Sequence, residues 1–217
     1  MSKTVPDAAP ASRPTIEFWF DLGSPYSYLA ARALPGIARD AGAAIAWRPM
    51  LLGGVFKATG NASPMTVPAK GRWTAEDLAR QAERLGVPFR LNPHFPINTL
   101  VLMRGAAGYA MQGDAALARY LDAAWTAMWV DGADLADPAE VATVLSAAGI
   151  APAGFEALVA DPAVKDALKR ATEEAVARGV FGAPTFFVGG RMWWGQDRLG
   201  ELAEAVRAAS AGEPARR

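Results

Sequence analysis

The run Ile16-Glu17-Phe18-Trp19-Phe20-Asp21-Leu22-Gly23-Ser24-Pro25-Tyr26-Ser27 decides how this chain folds. Its first half is aromatic-rich and alternates poorly, the mark of a central strand buried on both faces. Gly23-Ser24-Pro25 then supplies a turn, a helix-capping serine and a proline at the first helical position. Ser24 and Ser27 thereby occupy the two places at a helix start where a Cys-x-x-Cys redox pair would sit. Neither can form a disulfide, and the 217-residue chain contains no cysteine. A serine hydroxyl can still hydrogen-bond a sulfur that another molecule brings.

Working outward, a helix bearing Tyr28, Leu29, Ala31 and Leu34 is expected to reach about Asp40 and to end at Ala41-Gly42. Residues 43–50 read as a second, parallel strand that completes a β-α-β unit. From about Leu51 to Gly179 strand signals vanish and helical ones repeat. Thr74-Ala75-Glu76-Asp77 predicts a capped helix start with Gly86 as its stop, and Asn98 predicts another cap. Asp114 opens the clearest amphipathic pattern, with Leu117, Tyr120, Leu121, Ala124, Trp125, Met128 and Trp129 on one stripe. Asp137-Pro138 and Asp161-Pro162 predict two further helices, ending at Gly149 and Gly179. Strand character returns in Pro184–Val188; Gly189-Gly190 turns the chain into an antiparallel partner over 191–194, and a closing helix spans Gln196–Ala209.

The order β-α-β, helical block, β-β-α implies an α/β fold whose sheet is split by a large all-helical insertion. The expected division is a sheet domain of residues 15–50 and 180–209, an insertion of 51–179, a disordered leader of 1–14 and a flexible tail of 210–217. Charges balance at 22 against 22, which leaves no electrostatic footprint for nucleic acid or a membrane surface. Zero cysteines exclude thiolate metal sites and cysteine nucleophiles, and a single histidine, His94, excludes a multi-histidine metal site. Neither a secretory signal nor an eighteen-residue apolar run occurs, so the expectation is a cytoplasmic protein.

Six stretches carry a resemblance, in register from residue 15 to about 205. They are 20–29 (Phe-Asp-Leu-Gly-Ser-Pro-Tyr-Ser-Tyr-Leu), 47–54 (Trp-Arg-Pro-Met-Leu-Leu-Gly-Gly), Gly60-Asn61 with Pro64, Val67-Pro68-Ala69-Lys70, Phe181-Gly182-Ala183-Pro184-Thr185, and 193–199 (Trp-Trp-Gly-Gln-Asp-Arg-Leu). In these the chain resembles the 2-hydroxychromene-2-carboxylate isomerase and kappa-class glutathione transferase family, a cysteine-free branch of the DsbA-like thioredoxin folds. The resemblance implies glutathione as cofactor, with Ser24 contacting its sulfur as the catalytic group. It also implies that Asn61 and Lys70 hold the tripeptide, that the backbone at Ala183, preceding Pro184, pairs with the cysteinyl main chain, and that Trp194, Gly195, Gln196 and Asp197 receive the γ-glutamyl end; thioredoxin-type folds hold a cis proline at such a turn, whereas a trans proline at a strand start is the ordinary reading. Trp47, Arg48 and Asn98 are candidate contacts for a second substrate, and a homodimer is implied by the family.

Each residue also has an ordinary reading. Ser24 alone is a helix cap, Lys70 and Asp197 are solvated charges, Asn61 is a turn residue, and Arg48 equally suits a structural salt bridge. What unites them is that glutathione carries two carboxylates, an ammonium and an extended amide backbone, and so requires a cation, an anion and a strand-like edge. The implied activity is the glutathione-dependent ring opening of 2-hydroxychromene-2-carboxylate to trans-o-hydroxybenzylidenepyruvate in aromatic-hydrocarbon breakdown. A kappa-class transferase or peroxidase is the alternative, and a non-catalytic glutathione-binding module a remote one. Zero cysteines exclude a dithiol oxidoreductase.

Overall fold

The computed structural model describes residues 13–211, so most of the expected leader and tail lies outside the described residues. Strands β1 (Thr15–Phe20), β2 (Ala44–Pro49), β3 (Thr185–Val188) and β4 (Arg191–Trp194) form one sheet in the order β2-β1-β3-β4. The β1–β2 pair is parallel, with Phe18 opposite Trp47; β1–β3 and β3–β4 are antiparallel, with Phe18 opposite Phe186. The parallel pair is bridged by α1 (Pro25–Asp40), because parallel strands need a long crossover connection. Between β2 and β3 come α2 (Leu52–Thr59), α3 (Pro68–Leu85), α4 (Leu100–Gln112), α5 (Asp114–Thr126), α6 (Pro138–Ala147), α7 (Pro152–Ala160) and α8 (Pro162–Ala177); α9 (Leu199–Ser210) follows β4.

Strand β1 alternates poorly in sequence because both of its faces are covered. Ile16, Phe18 and Phe20 enter the main core, where Phe18 stacks on Phe20 and Phe186 and meets the edge of Trp47. That core continues through Trp125, 5.2 Å from the Phe20 ring, into the predicted stripe, every member of which is buried; Leu117 to Trp125 lie in α5, and Met128 and Trp129 in the wider helical turn Ala127–Asp131 that follows it. Trp19 points the opposite way, into a smaller cluster with Met50, Val55, Ala175, Val180 and Phe187.

Several sequence expectations shift. Helix α3 begins at Pro68, not Thr74, because a proline after extended Val67 already meets the needs of a first turn. Thr74 is consequently buried inside the helix. Helix α7 was not anticipated, since the Asp161 cap that ends it was assigned only to the start of α8. Asp137 and Asp161 do cap α6 and α8, accepting from Ala139 and Ala163 amides at 2.9 and 2.8 Å.

Glu17, beside Trp19 on the smaller face, receives a two-pronged ion pair from Arg178 at 2.6 and 3.0 Å, with Arg48 at 3.8 Å. The Arg178 hydrogen bond holds the Glu17 carboxyl below its usual range despite partial burial. A carboxylate depressed in the folded state contributes stability that is full above its unfolded pKa and lost as pH falls through the folded one. Glu17→Gln should therefore cost about 1–3 kcal/mol at pH 7. That deficit should shrink toward zero as pH falls below about 4, when unfolding is followed by urea titration across pH.

Candidate active site

The end of β1 delivers Asp21, which is only 1% exposed, to a junction of three segments. Its carboxylate accepts from the Gly23 amide at 2.8 Å, from the Leu52 amide at 2.8 Å and from the Thr99 side chain. Burial pushes the Asp21 carboxyl up, opposed by these three bonds. One side chain thus joins the turn before α1, the first residue of α2 and the entry to α4.

Ser24 caps α1 with its hydroxyl oxygen accepting from the Ser27 amide at 3.1 Å. The same hydroxyl donates to the Ala183 carbonyl at 3.2 Å, across 159 residues of chain. The Ala183–Pro184 bond is cis. Two more contacts hold this turn: Asn61 donates through Nδ2 to the Phe181 carbonyl at 2.8 Å, and Thr185 donates to the Gly182 carbonyl at 2.8 Å. Past β4, the Gly195 amide donates to the Pro184 carbonyl at 3.0 Å, folding the Trp194–Asp197 run back onto the turn. Gly182 is a requirement here, since a Cβ would stand 2.6 Å from Trp194 Nε1. Gly195 is another: its φ of 101° is strained for other residues, and a Cβ would collide with the Asp197 carboxylate.

These segments wall a cavity of about 820 Å³. Ser24, Asn61, Lys70, Ala183, Pro184, Trp194, Gly195, Gln196 and Asp197 all line it, although they come from five of the six stretches named above. The three proposed second-substrate contacts do not. Trp47 faces the main core against Phe18 and Phe20, and Arg48, on the opposite face of β2, joins Glu17 beside the Trp19 ring. Both placements follow from strand alternation. Asn98 accepts from the Leu100 amide at 3.0 Å and borders a separate, smaller hollow among α4, α6 and α7. His94 also lies outside, 3.5 Å from Asp134, and Ser27 is buried away from the cavity.

Sequence reasoning missed one polar pair in the wall. Tyr26 donates its hydroxyl to Asp77 at 2.8 Å, and Asp77, 9% exposed, also meets Arg80 and Gln81 at 3.4 Å. Burial first, and the Asp77 carboxylate second, push the Tyr26 phenol up, so it stays a neutral donor. The capping pattern Thr74-Ala75-Glu76-Asp77 hides this signal, because it assigns Asp77 to a helix start. Among the described residues no helix is long and apolar enough to cross a membrane, and no cluster of metal-binding side chains occurs.

A strand, a capped helix and a cis-proline turn around one serine are matched by a family model for the DSBA-like thioredoxin domain over residues 15–207. The chain belongs to that family. Within it, the sequence is 35% identical over 187 residues to a 2-hydroxychromene-2-carboxylate isomerase of Sphingobium xenophagum, covering 85% of this chain and 94% of the relative. It is 29% identical to human glutathione S-transferase kappa 1, covering 88% and 90%. A solved 2-hydroxychromene-2-carboxylate isomerase superposes with a TM-score of 0.77 at 31% identity, covering 88% of this chain and 93% of that one. The chain is therefore a DsbA-like thioredoxin-fold member of the isomerase and kappa-transferase branch, and an enzyme fold by descent.

In this member Asp21 does what no single amide can do. Asp21→Asn keeps the shape but replaces one acceptor oxygen with a donor facing a buried N–H. The variant should lose about 1–3 kcal/mol of stability at pH 7 in denaturant unfolding. Hydrogen exchange should quicken first at Gly23 and Leu52, whereas a carboxylate that merely fills space would leave those amides as protected as before.

Proposed function

We propose that the chain is a glutathione-dependent enzyme in which bound thiolate adds to a conjugated carbon, a bond rotates, and the thiol is expelled. The observation that carries this reading is the Ser24 hydroxyl at the start of α1, bonded to the carbonyl before Pro184 and facing the large cavity. The Ser27 amide donates into one lone pair of that oxygen, so its single proton is left to be directed outward or to Ala183. A thiolate is the better acceptor of that proton, because charge-assisted hydrogen bonds are shorter and stronger than neutral ones. Asn61, Lys70, the Ala183 backbone and the run Trp194–Asp197 supply the cation, the anion and the strand-like edge that the tripeptide needs.

Magnitudes define the serine's share. A thiol with a pKa of about 8.5 is roughly 3% ionised at pH 7, and lowering it two units takes roughly 2.7 kcal/mol. A helix N-terminus contributes about 0.3–1 kcal/mol, and one hydrogen bond to a charged group about 1.5–3 kcal/mol. The two together suffice. A less basic thiolate is also less nucleophilic, which returns most of the gain and leaves a net of about threefold. Positioning sulfur against the substrate must therefore contribute most of the rate.

Isomerisation is the reading favoured by the isomerase relatives, and it returns glutathione unchanged. Conjugation, as in the kappa-class relatives, consumes it. One observation favours the second: among the described residues Lys70 is the single cation lining the cavity, and in this reading the tripeptide takes it. Measuring glutathione before and after turnover separates the two.

Removing the hydroxyl tests the shared step. Ser24→Ala should still bind glutathione, but the pKa of the bound thiol should rise by about 1–2 units. Ultraviolet absorbance of the thiolate, titrated against pH, reads that shift. A bound thiol with the same pKa in both proteins would sink the role of Ser24.

A further inference from the structure

Among the described residues, four titratable side chains line the cavity: Tyr26, Lys70, Asp77 and Asp197. In the reading above Lys70 and Asp197 serve the tripeptide, and His94 lies outside the wall beside Asp134. Tyr26 and Asp77 remain, and they are bonded to each other. Tyr26 stands on the first turn of α1, next to the cap that Ser24 makes. Asp77 belongs to α3, whose residues Lys70, Thr74, Asp77 and Gln81 turn toward the cavity at three-four spacing.

The two carboxylate oxygens of Asp77 are used differently. Its Oδ1 faces Arg80 Nη2 and Gln81 Nε2, each at 3.4 Å, and Arg80 also lies over the Trp73 ring, 5.9 Å from its centre. Its Oδ2 is left to Tyr26 alone, whose hydroxyl donates to it at 2.8 Å. Burial, and then Asp77, push the Tyr26 phenol up, so the phenol does not act as a free phenolate base. Its oxygen can still accept: hydrogen bonds in a chain polarise one another, and a phenol that donates to a carboxylate is the better acceptor for a hydroxyl in the cavity. A proton taken up by that oxygen displaces the phenol's own proton onto Asp77.

We infer that Tyr26 and Asp77 form a proton relay that opens a cyclic hemiketal substrate, with Tyr26 touching the substrate and Asp77 acting through it; this rests on the isomerase reading above. A 2-hydroxychromene carries its hydroxyl and its ring oxygen on one carbon, and the ring opens only when that hydroxyl gives up its proton. The Ser24 proton is committed to the thiolate and cannot do this work. In the relay the hydroxyl proton passes to the Tyr26 oxygen as the phenol proton passes to Asp77. The O–H pair becomes the carbonyl π bond, the bond from carbon to ring oxygen breaks, and its electron pair stays on the phenolate oxygen. The two proton steps then run backward and deliver the proton to that phenolate. Nothing is oxidised or reduced, and the relay ends as it began. Sulfur addition, rotation and expulsion of the thiol follow on the opened chain.

The test follows glutathione-dependent conversion of 2-hydroxychromene-2-carboxylate, the compound for which the isomerase relatives are named. Tyr26→Phe, which removes one oxygen, should lower kcat about a hundredfold while KM and glutathione affinity in calorimetry stay within about threefold. Asp77→Asn should lower kcat by a similar factor, and it covers the case in which Tyr26→Phe does not fold. Because the pair acts as one unit, the double variant should be little slower than either single one. Rates in mixtures of H2O and D2O count the protons in flight. The wild-type plot of kcat against deuterium fraction should bow, and the Tyr26→Phe plot should be straight; a tyrosine that only packs would leave its shape unchanged. Folded variants within about threefold of the wild-type kcat, or a plot unchanged by Tyr26→Phe, overturn the relay alone. A wild-type protein that binds glutathione but does not convert the hemiketal overturns the isomerase reading and the relay with it, and the Ser24 thiol titration still judges glutathione activation separately.

Discussion

Strand β1 is buried on both faces, and the architecture is arranged around meeting that demand. Ile16, Phe18 and Phe20 need one apolar layer and Trp19 needs another, so helices must cover the sheet from both sides. Strand β1 also sits between its two neighbours in the order β2-β1-β3-β4, with β2 along its whole length and β3 along Glu17–Trp19. Its chain direction then decides where function can go. The strand ends at Asp21, at the crevice beyond the carboxyl ends of the parallel pair, where ligands bind in open α/β sheets.

From that point the site is assembled by hydrogen bonds between distant segments. Asp21 ties the turn before α1 to α2 and α4, Ser24 reaches Ala183, and Asn61 reaches Phe181. Each bond is worth little alone, about 0.5–1.5 kcal/mol. Together they hold the serine hydroxyl, the cis-proline turn and the Trp194–Asp197 run as one surface. Small residues enter for the same reason: Gly182 lets Trp194 close over the turn, and Gly195 leaves room for the Asp197 carboxylate.

Much of this was legible in the chain, and the failures are instructive. The strand, the capped first helix, the α5 stripe and the final hairpin each announce themselves through local pattern or turn chemistry, which act within a few residues. The nine residues linked to glutathione by resemblance do border one cavity. Trp47 and Arg48 do not, because their direction depends on strand alternation and on which face meets the core, and Asn98 does not, because the loop before α4 carries it to a separate hollow. Thr74-Ala75-Glu76-Asp77 misled in the same way. It has the composition of a cap, but Pro68 had already started the helix, and Asp77 was left free to reach across to Tyr26.

The sequence by itself determined the order of elements, the exclusion of thiol and multi-histidine chemistry, and the presence of a serine where a redox sulfur would stand. Those follow from residue type and short-range spacing, which no packing can change. Only the tertiary structure decided that the Ser24 hydroxyl meets the Ala183 carbonyl, that Arg48 is paired with Glu17, and that, among the described residues, Lys70 is the one cation lining the cavity at Ser24. The physical reason is range. Capping and alternation are settled within one turn or one strand, whereas the lining of a cavity is the sum of side chains brought from stretches far apart in the chain.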